Sequence, residues 1–388
     1  MDLYLHIGTE KTGTSSIQEF LSINRDALSK RGILYPSATG RDGGSQWGFV
    51  AAIQPKPWQS DIGARLGISD AASARLYKRQ LILELDEEVR RNSSTHTLLV
   101  SSEHFHSRLA SRKAVTALVT FLRRWCSTFE VIWYVRRQDK MAVSHYATKL
   151  KSGAVNPTLF PDIDPEALPW YFDYARIHAT WSSVVGPEAI TTRRFERSHL
   201  KDGDVVTDFR ATLGLDHPGL QSPRRINLSL TQRGVHLLNE LNRQWPINYA
   251  APDQAARAEL VGDIARTHQG TAHLATQSEA KAFYAYFRDC NTALAHRAFP
   301  GQGSQLFGEN FDGYPQTLDL REPNVRYEVA MRIALKKASI RAAARPTTLP
   351  RVIASLLHFL PMTRRTPSAS RFETPLYLHI GIPKTGTT

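Results

Sequence analysis

Short apolar runs alternate with amphipathic segments along the first half of the chain. The runs LYLHIG (3–8), THTLLVSSE (95–103), FEVIWYVRR (129–137) and AITTRRF (189–195) are rich in aliphatic, β-branched or aromatic residues, which is typical of buried parallel strands. Between them apolar residues recur with helical spacing, which predicts helices over residues 15–32, 71–92, 111–125, 139–153 and 202–215. Strands that alternate with helices predict an α/β fold with a central parallel sheet and right-handed crossovers.

Three further regions have patterns of their own. Residues 35–67 are rich in Gly, Pro, Ser and Trp, which predicts a surface loop. The second half of the chain is mainly helical, as in LTQRGVHLLNELNRQW (230–245). Residues 321–371 are basic and contain several prolines. They predict a peripheral helix that runs into a linker, or equally a basic segment that anchors the protein or binds a partner. We therefore expect a main domain over 1–320 and a basic helical or linker segment over 321–375.

One stretch of the sequence occurs twice. YLHIGTEKTGTSSIQ (4–18) returns as YLHIGIPKTGTT (377–388), and when Leu3 is aligned with Leu376, ten of thirteen positions are identical. This repeat predicts a tandem protein in which residues 376–388 begin a second, truncated copy. We expect that copy to be inert, because a strand and a loop without the following helix lack support.

The composition narrows the classes of protein to which the chain can belong. Of the 388 residues, 41% are hydrophobic and 22% are charged, which excludes wholesale disorder. The formal net charge of +13 favours a nucleotide, nucleic acid, an acidic glycan or a lipid surface as partner, although excess Lys and Arg also serve solubility alone. Cys126 and Cys290 form neither a disulfide framework nor a metal-binding spacing. The first residues do not have the pattern of a secretory signal, and the apolar run at 352–361 is too short to span a bilayer. We therefore expect a soluble, cytoplasmic protein.

The loop after the first predicted strand has the composition of an anion-binding site. Backbone N–H groups and the helix dipole attract an anion at the start of a helix, and Gly13 allows the backbone to approach a phosphate closely. Lys11 adds a full positive charge, and the side-chain donors are Thr12, Thr14, Ser15 and Ser16. In a Walker A loop the Lys directly follows the second glycine, whereas here it lies two residues before Gly13. Ordinary ATP or GTP hydrolysis is therefore disfavoured.

The motif KTGTSS (11–16) resembles the 5′-phosphosulfate loop of the sulfotransferases that use 3′-phosphoadenosine 5′-phosphosulfate (PAPS). A second motif, YVRRQDKMAVSHY (134–146), resembles the 3′-phosphate motif of that family, since Arg136 follows a strand and Ser144 comes eight residues later. Arginine grips phosphate oxygens in a bidentate manner and serine adds a directional donor. The resemblance implies a P-loop-NTPase-like three-layer fold, with a central parallel sheet flanked by helices and a helical C-terminal region. Alone, the first motif would also fit a generic phosphate loop or a capped helix without a ligand.

Two weaker likenesses concern the rest of the cofactor. TTRRFERSHL (191–200) resembles the family segment near the adenine, where Phe195 takes the place of a stacking aromatic residue; packing in the core is an equal alternative. SPRRINLSLT (222–231) lies where relatives supply a last basic contact to the cofactor. Arg224 or Arg225 would provide it, although the glycine-rich form of the cytosolic members is absent.

Transfer to a hydroxyl needs a base that takes the proton of the acceptor. LLVSSEHFHS (98–107) places Glu103, His104 and His106 at the end of a predicted strand, and the resemblance implies a Glu or His base at such a position. We expect Glu103 to be the base and His104 the second candidate, with the two side chains facing opposite ways along an extended segment. The alternative is that Glu103 caps the next helix or pairs with a surface arginine. Lys11 would stabilise the charge on the leaving phosphate oxygen.

The resemblance covers residues 1–230 through scattered motifs. It implies a sulfotransferase that moves a sulfuryl group from PAPS to a hydroxyl or amine, with no metal. The sequence leaves the acceptor open between a glycan and other compounds, and segments 35–67 and 155–170 would vary with it. One alternative is a P-loop-type small-molecule kinase that uses ATP and Mg²⁺, with Glu103 ordering the metal. The other is a non-catalytic nucleic-acid-binding protein, although aromatic-interleaved basic motifs are absent and we expect no nucleic acid as partner.

Overall fold

Five parallel strands form the sheet on which the candidate site lies. The computed structural model of the chain describes residues 1–38, 44–217, 219–223, 229–248, 251–318 and 324–343. Within these residues the strands are β1 Asp2–His6, β2 Ile33–Leu34, β3 Thr97–Ser101, β4 Thr128–Val135 and β5 Ile190–Arg194. Their order in the sheet is β2-β3-β1-β4-β5, and every neighbouring pair is parallel. β1 is therefore central, and its carboxyl end is flanked by those of β3 and β4.

Helices connect the strands and continue beyond the last one. Those before β5 are α1 Thr14–Ile23, α2 Arg25–Ser29, α3 Gly48–Ile53, α4 Asp61–Arg65, α5 Ala71–Arg91, α6 His104–Arg108, α7 Arg112–Leu122, α8 Gln138–Lys151 and α9 Tyr174–Val185. Those after β5 are α10 Val205–Thr212, α11 Gln232–Gln244, α12 Gln254–Thr267, α13 Gln277–Ala285, α14 Arg288–Ala298 and α15 Arg326–Ala343. Short 3₁₀ turns occupy Pro57–Gln59, Pro187–Ala189 and Lys201–Gly203. Every helix among the described residues is too short or too polar to cross a membrane.

Alternating side chains of the strands enter two separate apolar clusters, one on each face of the sheet. Val131, Trp133 and Val135 of β4 pack on one face with residues of α3, α5, α7 and α9. Ile132 and Tyr134 pack on the other face with residues of α1 and α10. This arrangement is typical of a parallel sheet that helices cover on both faces. The α/β class and the central parallel sheet predicted from the sequence are confirmed.

A third apolar cluster joins α8 to helices of the second half of the chain. Leu150, near the end of α8, belongs to it together with Leu241 of α11, Ile264 of α12 and Val329 of α15. α15 covers part of the segment for which the sequence predicts a peripheral helix and a linker. The rest of that segment beyond residue 343, and the second copy of the repeat, lie outside the described residues. The domain boundaries therefore stay a prediction.

The prediction of a surface loop over residues 35–67 is wrong. Phe49 and Val50 of α3 lie within this segment and are fully buried in the cluster that covers one face of the sheet. The prediction relied on the abundance of Gly, Pro and Ser, which is typical of loops. The short apolar run FVAA decides the structure instead, because it packs α3 against both α5 and α7.

The helix predicted over residues 15–32 is split into α1 and α2 at Asn24. The Asn24 side-chain amide donates to the carbonyl oxygens of Phe20 (2.7 Å) and Gln221 (2.9 Å), and the Gln221 N–H donates back to Asn24 Oδ1 at 2.8 Å. A side chain that bonds the backbone competes with continuation of a helix. The break leaves the apolar spacing unchanged, so periodicity did not reveal it.

A buried ion pair fixes the start of α8. Arg137 is 1% exposed and Asp139 0%, and the guanidinium donates to the two carboxylate oxygens at 2.7 and 2.9 Å. Arg137 Nη1 donates to the carbonyl oxygens of Gly308 and Asn310, each at 2.7 Å. Asp139 also accepts from Tyr314 Oη at 2.7 Å. Both charges are thus satisfied, and together they tie α8 to a segment far along the chain.

We expect Asp139→Ala to lower the free energy of unfolding by about 3–5 kcal/mol, because it leaves the charge of Arg137 buried without its partner. Glu87→Ala is the control, since Glu87 pairs with Arg90 on the exposed face of α5, where ion pairs contribute little. Urea denaturation measures both variants. Equal stability of the two would contradict the structural role of the buried pair.

Candidate functional site

The loop between β1 and α1 turns through two residues in the left-handed backbone conformation. The φ angles are 67° at Lys11 and 78° at Gly13, and a non-glycine residue in this conformation is uncommon and strained. Thr12 supports the turn, because its N–H (3.3 Å) and its Oγ1 (2.6 Å) both donate to the Thr9 carbonyl oxygen. Trp133 Nε1 donates to Thr9 Oγ1 at 2.9 Å. The loop is therefore anchored to the centre of the sheet.

α1 begins directly after this turn. Gly13 is its N-cap residue, and no side chain of a described residue caps the helix there. The helix therefore presents its first N–H groups and the positive end of its dipole. Of the predicted hydroxyl donors, Thr12 is used within the turn and Thr14 is buried, whereas Ser15 is exposed and Ser16 is half-buried. The two serines are the side-chain donors that an anion can reach.

Residues from three strand ends meet at this loop. Arg136, which follows β4, donates from Nη1 to the Lys11 carbonyl oxygen at 2.7 Å. Its guanidinium lies 5.5 Å from the ring centre of Phe195, which follows β5. A Cβ atom at Gly13 would lie 3.4 Å from Phe195 Cε2. The structure thus brings together four of the residues singled out in the sequence, Lys11, Gly13, Arg136 and Phe195.

Glu103 follows β3 and comes just before α6. Its backbone is helical, and α6 starts at His104, so the prediction that these two residues alternate along an extended segment is wrong. The Glu103 side chain does not cap α6. Its Oε2 accepts hydrogen bonds from Gln18 Nε2 (2.8 Å) and Ser45 Oγ (3.1 Å). The carboxylate is therefore held in place between α1 and the segment before α3.

Lys11 lies within electrostatic reach of the carboxylates of Glu10 and Glu103 and of cations that include Arg136. Burial lowers the pKa of Lys11, the charges of Glu10 and Glu103 raise it, and Arg136 lowers it. The net shift is downward, because the carboxylates do not fully offset burial and the neighbouring guanidinium. An anionic ligand near Lys11 would therefore stabilise its charged form.

The other predicted cofactor residues lie apart from this group or outside the described part of the chain. Ser144 is half-buried on α8, and its hydroxyl bonds to no other described residue. Arg137, which directly follows Arg136 and is not one of the predicted cofactor residues, donates instead to Asp139 and to the carbonyl oxygen of Gly308. Arg224 and the alternative candidate, Arg225, lie outside the described residues. The last basic contact to a cofactor therefore stays a prediction.

A cavity of about 300 Å³ opens beside Arg136. Its lining residues include the cations Arg136 and Lys140, the ion-paired Arg137, and the polar residues His273 and Tyr314. None of the described lining residues is Asp or Glu. A concave surface with this charge attracts an anionic ligand.

A cluster of titratable side chains also borders the loop. Glu10 accepts a hydrogen bond from His145 Nε2 of α8, and Tyr171 Oη lies 2.9 Å from the same nitrogen. Burial opposes ionisation of Glu10, but the hydrogen bond from His145 and the charges of His145, His104 and His106 outweigh it and lower the pKa of Glu10 to about 2. We call these five residues, Glu10, His104, His106, His145 and Tyr171, the histidine cluster.

Sequence reasoning missed Glu10, His145 and Tyr171. Glu10 directly precedes Lys11, and His145 directly follows Ser144. Both residues therefore lie next to predicted cofactor residues, and those residues alone were assigned a role in the two motifs. One signal was present for Glu10, because the second copy of the repeat has Pro at this position. The loop pattern therefore does not itself require a carboxylate there. No pattern marked the tyrosine.

Comparisons with known proteins add little to this geometry. No family model matches the chain, and no solved structure matches it. An uncharacterized protein of Archaeoglobus fulgidus is 24% identical over 182 residues, which make up 46% of this chain and 48% of that protein. The chain thus spans about half the length of the curated relative that it matches.

Two histidines at this edge of the sheet are buried as neutral groups. His6 of β1 is 1% exposed, and its Nδ1 lies 2.8 Å from Ser101 Oγ. Burial lowers the pKa of His6 to about 3. Burial likewise lowers the pKa of His106 to about 4, although Glu10 opposes the shift. Both side chains therefore bind fewer protons in the folded than in the unfolded chain at mildly acidic pH.

We expect the free energy of unfolding to fall as the pH is lowered from about 6.5 toward 4, because the unfolded chain takes up protons that folded His6 and His106 do not accept. Urea denaturation across this range measures the slope. His6→Gln, which keeps a partner for Ser101, should make the slope shallower, whereas His296→Ala on the exposed end of α14 should not. A His6→Gln slope as steep as that of the wild type would contradict this account.

We expect Gly13→Ala to destabilise the fold more than Gly67→Ala. The φ angles are 78° and 70°, so each variant carries the strain of a left-handed residue with a Cβ, about 1–2 kcal/mol. At Gly13 the added Cβ would also lie 2.6 Å from Val205 Cγ1, whereas at Gly67 no described atom lies within 4 Å. Overpacking adds about 1–3 kcal/mol. Equal losses of unfolding free energy in urea would show that the loop is not tightly packed against α10.

Proposed function

We propose that the chain transfers a sulfuryl group from PAPS to a hydroxyl or amine of an acceptor, on a P-loop-like α/β fold. The acceptor atom forms a bond to sulfur while the bond between sulfur and the 5′-phosphate oxygen breaks. The electron pair leaves with 3′-phosphoadenosine 5′-phosphate (PAP). Such a transfer depends on positioning and on stabilisation of charge, as phosphoryl transfer does.

The observation that carries the proposal is the meeting of Lys11 and Arg136 at the ends of two adjacent strands. PAPS has two separate anionic groups, the 5′-phosphosulfate and the 3′-phosphate. Lys11 and the uncapped start of α1 suit the first group, because N–H donors and a cation are combined there. Arg136 and the basic cavity beside it suit the second. Ligands of open parallel α/β sheets bind beyond the carboxyl ends of the strands, which is where both cations lie.

Other residues have supporting roles in the proposal. Phe195 lies under the guanidinium of Arg136 and offers a ring on which adenine can stack. Lys11 stabilises the charge that develops on the leaving phosphate oxygen. Ser144 and Arg224 are proposed as further cofactor contacts on the family resemblance alone.

The proton acceptors that the resemblance suggests, Glu103 and His104, lie at the end of β3. The effect of Glu103 on the pKa of Lys11 supports a place for this carboxylate near the reacting groups. The net charge of +13 fits an acidic glycan as the acceptor, as well as the anionic donor.

We expect PAP to raise the melting temperature of the wild-type protein, and 5′-AMP, which lacks only the 3′-phosphate, to raise it much less. A ligand at about 100 times its Kd stabilises the folded state by roughly 2.7 kcal/mol. Arg136→Ala should lose most of the PAP effect, because it removes the contact to the 3′-phosphate. Arg90→Ala, on the exposed face of α5, should keep it. Thermal unfolding with each nucleotide at one concentration measures these shifts.

ATP with Mg²⁺ separates this proposal from a kinase. A shift with ATP and Mg²⁺ but none with PAP would contradict the sulfotransferase proposal. Equal shifts with PAP and 5′-AMP would show that the 3′-phosphate is not recognised, and the role proposed for Arg136 would then be wrong.

A further inference from the structure

We propose that the histidine cluster is the acceptor site of the sulfotransferase and that His145, held by Glu10, takes the proton from the acceptor hydroxyl. This inference rests on the proposed function. It assigns the base to a pair of residues other than those at the end of β3.

The contact with Glu10 determines which nitrogen of His145 is basic. The pKa of Glu10 is lowered to about 2, so its carboxylate is ionised and can only accept hydrogen bonds. His145 Nε2 therefore carries the proton that it donates to Glu10. The lone pair of neutral His145 then lies on Nδ1, which bonds to no other described residue. A carboxylate that holds an imidazole in this way also stabilises the imidazolium that forms when the ring takes a proton.

Tyr171 supports the same orientation of the imidazole. Burial raises the pKa of Tyr171 well above its ordinary value, and the charge of Glu10 raises it further, so the hydroxyl stays protonated and can donate to the carboxylate. The rings of Tyr171 and His145 lie 5.1 Å apart between their centres. The tyrosine thus packs against the imidazole and restricts its rotation.

Two other histidines of the cluster have buried nitrogens without a partner. Both ring nitrogens of His106 and Nδ1 of His104 are buried and bond to no other described residue. The His106 ring is fully buried and lies 5.0 Å from that of Tyr171 between centres. Buried polar groups without partners are unfavourable. The side chains of His145 and Glu10 are each about a quarter exposed, so an acceptor hydroxyl can approach His145 beside these unpartnered nitrogens, which is why we place the acceptor here.

The surroundings of Lys11 favour this pair over Glu103 as the base. Glu10 directly precedes Lys11 in the loop, and Lys11 is the group that faces the leaving phosphate in the proposed function. Oε2 of Glu103 already accepts hydrogen bonds from Gln18 and Ser45. Such fixed contacts suit a counter-charge that positions Lys11 rather than a group that takes a proton.

In the proposed step the acceptor oxygen attacks the sulfur of PAPS while its proton moves to His145 Nδ1. The bond between sulfur and the 5′-phosphate oxygen breaks, and the electron pair leaves with PAP. Glu10 stays ionised throughout, and the imidazolium releases its proton to solvent after the products leave. With water as the acceptor the products are sulfate and PAP, so hydrolysis of PAPS reports the same step without an identified acceptor.

The test follows the formation of PAP from PAPS in water by the full chain. We expect His145→Ala and His145→Gln each to lower the rate at saturating PAPS by about 10²-fold, the lower end of what a general base contributes. The rise in melting temperature with PAP should remain in both variants, because in this proposal Lys11 and Arg136 hold the donor and His145 faces the acceptor. Glu103→Gln should lower the rate less than His145→Ala does, because it removes a counter-charge of Lys11 and not the base. His296→Ala, which removes an exposed histidine far along the chain, should match the wild type.

Added imidazole distinguishes a base from a structural residue. Free imidazole should restore part of the rate of His145→Ala, and substituted imidazoles of higher pKa should restore more at equal concentrations of their neutral form. Glu10→Gln removes a positioning residue, so it should lower the rate less than His145→Ala and should not respond to imidazole.

Loss of rate in Glu103→Gln together with an unchanged rate in His145→Ala would overturn the assignment and make Glu103 the base. A slow His145→Ala variant that no imidazole restores would overturn it as well. If PAP does not stabilise the wild-type protein at all, the proposed function itself fails, and this assignment fails with it.

Discussion

The left-handed turn at Lys11 and Gly13 is the constraint on which the candidate site depends. It ends β1 and starts α1 within a few residues, so that a cation and the start of a helix face the same edge of the sheet. Two of the contacts that hold the turn come from distant residues: Trp133 donates to Thr9, and Arg136 donates to the Lys11 carbonyl oxygen. Both donors belong to β4 or follow it. The register between β1 and β4 therefore sets the shape of the loop.

The turn separates a cationic region of the site from a region that contains a carboxylate. On one side Arg136 and the lining of the cavity beside it are cationic. On the other side lies the carboxylate of Glu10, together with the histidines that interact with it. Lys11 interacts electrostatically with both Arg136 and Glu10. In a transfer between an anionic donor and a hydroxyl, negative charge moves from the acceptor toward the leaving phosphate. A cation that lies between the two regions stabilises this movement of negative charge.

The elements that could be predicted are those with a local signal. The strands β1, β3 and β4 are continuous apolar runs, and the loop from Lys11 to Ser16 is a contiguous motif, so both are visible in a short window of sequence. Arg136 lies in a short motif as well, and the resemblance of that motif to the 3′-phosphate motif of the sulfotransferases singles it out.

The elements that could not be predicted depend on contacts between distant parts of the chain. Glu10 and His145 are 135 positions apart, and they meet only because β1 and β4 are neighbours in the sheet. Asn24 breaks a helix through its bonds to Gln221, and α3 is buried by α5 and α7, which the composition of its own segment did not indicate. Strand order and helix packing decide these contacts, and a single sequence does not display them.

A crystal structure of the chain with PAP bound tests the central claim most directly. The account predicts the 5′-phosphate at Lys11 and the start of α1, and the 3′-phosphate at Arg136 beside the basic cavity. A nucleotide bound with both phosphates away from Lys11 and Arg136 would contradict it.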